Sequence, residues 1–329
     1  MSLLTALVLA SLALTVGLKA LDGHGHRPET CLKKRGGNMA QRYVVGVDGS
    51  RPGAAALRWT IARARRDPAP IVLVNVDEDD AGSRHEHLHD QARPGAVLVA
   101  AALAAVLEML PDVPVSVALL SGSVAQALAD YLGADDLLVI GTGKTGFLHG
   151  RVLGSRSVQI ALAAACSVAV IPDVDLRFRR GVVAGIDRRE TAPSVARTAG
   201  HEAEARNEEL LLVQAVTPQE LEQSGPRRDG LAVSVALAAA RAACPGLELR
   251  TRLSSRAAAE ALLDTSRDKA LLVLGPGSLD PHHSPIGTVL HEVLLNVNAP
   301  VLVARPVEDR QLVGPVVEQS ETLVSRRSS

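Results

Sequence analysis

A chain of 329 residues has room for about two domains. Its formal net charge of -1, from 35 basic and 36 acidic side chains, argues against bulk electrostatic binding to nucleic acid or an anionic membrane surface. Aromatic residues make up only 2%, too few for base-stacking platforms, whereas 47% hydrophobic residues, dominated by Ala, Val and Leu, suit helices packed on a parallel sheet.

Residues 1–38 stand apart. "SLLTALVLASLALTVGLKAL" has the apolar character of a signal peptide or membrane helix, but no basic residue precedes Lys19 and no small-x-small cleavage site stands out. The linker-like segment after it runs to Met39, which opens directly onto "AQRYVVGVDGS". "KKRGGN" can be encoded by a purine-rich ribosome-binding sequence, so translation is expected to start at Met39. Only if residues 1–38 are real does a membrane enter, with "KKR" as its positive-inside flank.

Beyond Met39 the pattern alternates. A strand at Tyr43–Val47 ends in Asp48, and a helix follows from Gly53 to Ala64. A strand at Ile71–Val76 leads into a charged loop from Asp77 to Pro94. Then come a helix at Val97–Leu110, a strand at Val115–Leu119 and a helix at Ser123–Leu132. A strand at Asp136–Ile140 precedes the glycine-rich "GTGKTG". A helix at Ser155–Ala164 and a strand at Val168–Ile171 close the half. Apolar runs between helices indicate a parallel sheet covered on both faces.

The pattern then repeats at an offset of about 135 residues, a domain-sized duplication. "GVVAGIDRRETAPSVARTAG" matches the opening, with Asp187 in the place of Asp48, and "ALLVLGPG" matches "DLLVIGTG". The expected organisation is one domain over 41–173, a linker, a second over 180–306 and a disordered tail over 307–329. The fold class is α/β, with two tandem domains, each a five-stranded parallel sheet with helices on both faces, of Rossmann-like or adenine nucleotide α-hydrolase-like type.

Cys31, Cys166 and Cys244 are far apart and form no C-x-x-C, which fits a reducing compartment and no metal cluster. "RHEHLHD" sets His85, His87 and His89 at alternate positions, a Zn²⁺-like spacing, yet it reads as a polar loop without a fixed fourth ligand. His149, His282 and His283 fall in the two glycine loops, either as exposed loop residues or as anion contacts when protonated. No nucleophile–base set shows at a diagnostic spacing. Asp48 and Asp187, at strand ends, are read as binding groups rather than catalytic carboxylates.

"IGTGKTG" admits three readings. A phosphate-binding P-loop needs a glycine at position 138, where Leu138 stands. A dinucleotide fingerprint uses Gly141, Gly143 and Gly146, with Asp173 ending the next strand. It closes the half instead of opening it, and the copy has Asp280 for the third glycine and Arg305 near the ribose position. The third reading joins the loop to Gly154-Ser155 at the start of the next helix. Glycines admit backbone N–H groups to phosphate oxygens, and the helix N-terminus adds positive potential.

"VDGS", "VNVD" and a G-x2-G-x9-G-S/T segment before the last helix and strand together resemble the universal stress protein family across residues 41–306. The resemblance implies tandem adenine-nucleotide-binding domains that act in the cytoplasm as a stress sensor or regulator, not as an enzyme. ATP, with Mg²⁺ where needed, would be the ligand. It places Asp48 and Val76 around the adenosine and Gly141, Gly154 and Ser155 around the phosphates, with Ile140, Gly143, Lys144, Arg156 and Ser157 as further nucleotide-binding residues. The second-half counterparts are Asp187, Val216, Gly275, Gly277, Gly287 and Thr288. Lys144 stands where the family has a glycine, as a charge on phosphate or as a solvated loop residue. The second loop carries Asp280 and no lysine, so that site is expected to be weaker or lost. The resemblance also implies an intramolecular pseudo-dimer and a homodimer through the last strands, "VAVI" and "VLVA". The alternative function is a protein-interaction module of the same fold without nucleotide.

Overall fold

The computed structural model describes residues 42–78, 94–143, 155–223, 231–277 and 288–305. The first half runs β1 (Tyr43–Gly46), α1 (Arg51–Ala64), β2 (Ile71–Asp77), α2 (Pro94–Met109), β3 (Val115–Ser121), α3 (Val124–Tyr131), β4 (Leu137–Thr142), α4 (Ser155–Ala163) and β5 (Ser167–Pro172). The second runs β6 (Val182–Gly185), α5 (Ala192–Glu204), β7 (Leu210–Ala215), α6 (Pro218–Gln223), α7 (Ala232–Ala243), β8 (Leu249–Ser254), α8 (Ala258–Ser266), β9 (Leu271–Leu274), α9 (Thr288–Leu295) and β10 (Val301–Val303). Among the described residues no helix is long and apolar enough to cross a membrane.

The ten strands form one sheet in the order β3-β2-β1-β4-β5-β10-β9-β6-β7-β8. Every pairing within a half is parallel. Alternation along each strand splits the core in two. Tyr43 and Val45 face α1 and α2, and the same layer continues over α5 and α7 of the second half. Val44 faces the other way, into the layer of α3, α4, α8 and α9. Both layers are rich in Ala, Val and Leu, and full burial of each large aliphatic side chain contributes about 1.5–3 kcal/mol.

Three element boundaries differ from expectation for local reasons. Asp136 is no strand residue. Its buried carboxylate accepts two 2.9 Å hydrogen bonds from Arg42 and one of 2.8 Å from the Gly133 N–H, which pins the turn before β4. At its other end β4 runs through Gly141 to Thr142, because β5 continues the ladder to Pro172. Helix α2 begins at Pro94, earlier than Val97, since proline fits the first turn of a helix without losing a hydrogen bond. Of the expected charged loop, Asp77 instead ends β2, and residues 79–93 lie outside the described residues.

The two halves join through their last strands. β10 pairs antiparallel with β5, Val301 opposite Val170 and Val303 opposite Val168. Arg305 completes the seam: its N–H donates to Ser167 Oγ at 3.0 Å and its guanidinium to the Ala161 carbonyl at 3.1 Å. This is the expected intramolecular pairing, and it corrects the expected homodimer contact. "VAVI" and "VLVA" hydrogen-bond to each other inside one chain, so their backbone edges are already used, and among the described strands the sheet ends in β3 and β8.

On one face of the seam α1 meets α5. Arg63 donates to the buried carboxylate of Glu202, which Arg206 also reaches. Arg63 also lies over the rings of Tyr43 and Trp59, at 5.4 and 5.7 Å from their centres. Burial alone would raise the Glu202 carboxyl, but the two guanidinium groups outweigh it and hold the group at about 2, below its ordinary 4.5.

Candidate functional site

In each half the strand order reverses between the first and fourth strands, β1 and β4 or β6 and β9. Connections leave such a point on opposite faces of the sheet and open a crevice beyond the strand ends. In the first half Asp48 reaches this crevice two residues past β1. Its Oδ1 accepts from the Ser50 N–H at 3.0 Å and from the Ser50 hydroxyl at 2.7 Å. Ser50 Oγ in turn accepts from the Gly53 N–H at 3.0 Å and so caps α1. Gly49 between them has φ 74°, a left-handed conformation that suits glycine.

Gly141 has a packing reason to be glycine. A methyl group there would lie 2.1 Å from the Pro52 carbonyl carbon, so the end of β4 passes directly under the first turn of α1. Gly143, just past the end of β4, has open space around its Cα. Ile140 is buried and Val76 half-buried, both toward the α3–α4 layer. Thr142, which sequence reasoning passed over, is buried with its hydroxyl 3.3 Å from that of Ser157, and so ties β4 to the first turn of α4. Arg156 is exposed and donates to Glu78 at 3.1 Å, bridging α4 to the end of β2. Ser155 opens α4. Lys144, Gly154, His149 and the His85–His87–His89 loop lie outside the described residues. Asp173 pairs with Arg51 at 3.2 Å, and Arg305 serves the seam, so neither takes the ribose role of a dinucleotide fingerprint.

The second-half crevice is a cavity of about 540 Å³. Asp187, Leu274, Gly275, Gly277 and Leu290 line it, drawn from the ends of β6 and β9 and the start of α9. Asp187 is exposed and accepts from Arg188 Nε at 3.3 Å. A methyl on Gly275 would meet only the Val195 side chain, at 3.2 Å. Gly277 has φ 88°. Thr288 is the first residue of α9; Gly287, Asp280, His282 and His283 lie outside the described residues.

Val216 needs correction. β1 pairs Gly46 with Val74, and β6 pairs Gly185 with Val213, so the counterpart of Val76 is Ala215. Ala215 lines the cavity, whereas Val216 is buried in the α5–α7 layer. The same register aligns Asn75 with Gln214, and both are unforeseen structural groups. Asn75 donates to the Val47 carbonyl at 2.7 Å, and buried Gln214 accepts from the Val233 N–H at 2.8 Å at the start of α7.

Doubly wound parallel domains in tandem, each with a glycine-edged crevice at its switch point, define a Rossmann-like α/β protein. Residues 39–172 match the family model described as "Universal stress protein family". A universal stress protein of Mycobacterium tuberculosis is 25% identical over 290 residues, 82% of this chain and 98% of its own length. One from Mycolicibacterium smegmatis is 26% identical over 285 residues, 80% of this chain and 96% of its own. A solved universal stress protein from Archaeoglobus fulgidus superposes with a TM-score of 0.57 at 14% identity, covering 81% of this chain and 98% of that one, a likeness of fold. Residues 39–172 thus match the universal stress protein family, and most of the chain is similar to proteins of that name.

Proposed function

We propose that the chain is a tandem adenine-nucleotide-binding module that senses or regulates in the stress response of the cytoplasm, with binding rather than turnover as its work. The observation that carries this is the switch-point crevice, where the Gly141–Gly143 strand end passes under the first turn of α1 that follows Asp48, and Thr142 ties it to the first turn of α4. An exposed carboxylate can accept from ribose hydroxyls, and Val76 and Ile140 offer an apolar wall to a base. A helix start beyond Gly143, which has open space around it, suits phosphate, through backbone N–H groups and the helix dipole. By the family resemblance Lys144, Gly154 and Ser155 would join there. ATP would bring the charge these donors neutralise, and Mg²⁺ would share it. The second-half cavity lies in the size range of small-molecule sites. Asp280 in its loop opposes phosphate, so the first half is the principal site.

Mass spectrometry of gently purified protein tests this, with near-stoichiometric adenine nucleotide as the expected finding. In a thermal melt, ATP at a hundredfold excess over Kd stabilises by about 2.7 kcal/mol, a shift of several degrees. Asp48→Ala should abolish the shift and Asp187→Ala should leave most of it, each compared with its own ligand-free melt. No nucleotide on the protein and no shift at millimolar ATP would hand the fold to the protein-interaction reading.

A further inference from the structure

Helices α5 and α7 pack side by side in the second half, far in sequence from either glycine loop. At their C-terminal ends three donor atoms of different chemistry converge. His201 lies in the last turn of α5, Glu204 is its final residue, and Cys244 caps the end of α7. His201 Nδ1 is 3.7 Å from Cys244 Sγ and 3.9 Å from a Glu204 carboxylate oxygen, and all three donors lie within 4.8 Å of one another.

We propose that His201, Glu204 and Cys244 form a binding site for a thiophilic divalent cation, with zinc the best match to the donors. A tetrahedral zinc ion, at about 2.3 Å from sulfur and about 2.0 Å from nitrogen, sets those two donors about 3.5 Å apart. The His201–Cys244 spacing of 3.7 Å exceeds that by a few tenths of an ångström, and the Glu204 oxygen, within 4.8 Å of both, closes by rotation of an exposed side chain. Nitrogen, sulfur and carboxylate oxygen together suit zinc, while hard cations such as magnesium and calcium select oxygen alone.

The surroundings favour the same assignment. Cys244 is fully buried, whereas the side chains of His201 and Glu204 are 37% and 58% exposed. The sulfur thus lies beneath two donors that reach solvent, from which water could supply a fourth ligand. Gly200 makes the room: a methyl there would come within 3.2 Å of the sulfur. A glycine inside a helix costs about 1 kcal/mol relative to alanine, so the space has a price unless the sulfur side uses it. Burial and then the Glu204 carboxylate push the free thiol up to about 11, which marks the carboxylate as facing the sulfur. On coordination the thiol proton leaves to solvent, His201 binds as neutral imidazole through Nδ1, and its Nε2 keeps the hydrogen. A bound cation would brace the end of α5, the helix whose Glu202 holds the first half through Arg63.

The test is titration of the reduced full-length protein with Co²⁺, read by the cobalt–thiolate charge-transfer band. A band that saturates near one equivalent and is displaced by Zn²⁺ is expected. Cys244→Ser should lose it, while Cys31→Ser and Cys166→Ser should keep it. His201→Gln and Glu204→Gln sit on the exposed rim, so they report even where Cys244→Ser fails to fold. Each should weaken the ion by roughly tenfold or more, since even outer partners of a ligand contribute that much. Three outcomes overturn the site: no band at about tenfold excess of Co²⁺, a band that follows Cys31 or Cys166 instead, or unchanged affinity in both rim variants. The histidine-rich loop cannot mimic the signal, because it contains no thiol.

Discussion

After β1, Asp48 folds back onto Ser50, Gly49 adopts a left-handed φ of 74°, and α1 begins at Arg51 under a serine cap. After β6, at the same place in the second half, Asp187 stays exposed beside Arg188 and α5 begins only at Ala192. Thr191 there makes no capping hydrogen bond from its side chain. The strand ends diverge in step. Gly141 is pressed under the backbone of Pro52, while Gly275 meets one side-chain methyl beside a cavity of about 540 Å³. Duplication has preserved what the sheet requires, namely strand order, register and apolar alternation. Connections at the strand ends carry little of the core, so they drift. Where they drift apart is where a ligand would be held.

The largest effect is expected where the halves are made to part. Glu202→Ala strands Arg63 and Arg206 without their carboxylate, and losing one partner of a buried pair costs about 3–5 kcal/mol. Trp59 is the chain's single tryptophan and sits in the first half, so its fluorescence reports that half, while far-UV circular dichroism reports both. In the parent protein the two denaturation curves should coincide; in Glu202→Ala they should separate. Acid gives a second handle. Glu202 is held at about 2 against an ordinary 4.5, so its contribution is complete above about pH 4.5 and fades as the pH falls toward 2. Coincident curves in the variant at every pH would mean that the β5–β10 ladder alone couples the halves.

Next in size is a matched pair of glycines. Gly141→Ala puts a methyl 2.1 Å from the Pro52 carbonyl carbon, where only backbone movement gives relief, and overpacking of this kind costs about 1–3 kcal/mol or more. Gly275→Ala meets a valine methyl at 3.2 Å and should cost under about 1 kcal/mol. Equal losses in urea denaturation would show that the two crevices are not built differently at this contact.

The repeat and the strand pattern were legible because they are local. Apolar runs such as "YVVG" and "LLVI" bury both faces of a strand and need no distant partner to be recognised. Asp48 and Asp187 were legible for the same reason, as the polar residues that end those runs. Three features were not. Arg63 and Glu202 are 139 residues apart, and nothing in either helix's periodicity names the other. His201 and Glu204 meet Cys244 only because α5 lies on α7, and neither C-x-x-C nor alternating histidines would have flagged them. Val216 was misplaced by one residue against Ala215. In a strand a one-residue slip moves a side chain to the other face, so that error turned a cavity position into a core one. Gly141 was legible as important, but the crowding beneath Pro52 is invisible until the helix is set on the strand.

The smallest expected difference is also the most direct probe of the turns. Ser50 Oγ accepts from the Gly53 N–H, so Ser50→Ala leaves a donor of the first turn of α1 unsatisfied and should cost about 1 kcal/mol. Thr191 has no such bond, and Thr191→Ala should fall within about 0.5 kcal/mol of the parent. Ser50→Ala also removes one of the two hydrogen bonds that hold Asp48 Oδ1, leaving the backbone N–H at 3.0 Å. If ATP binds through Asp48, the variant should still bind, with weaker affinity, because the carboxylate remains but is less firmly held. Isothermal titration beside the urea curve separates the two consequences. A variant that loses stability yet binds ATP as tightly as the parent would place the Asp48–Ser50–Gly53 chain in the service of the helix alone.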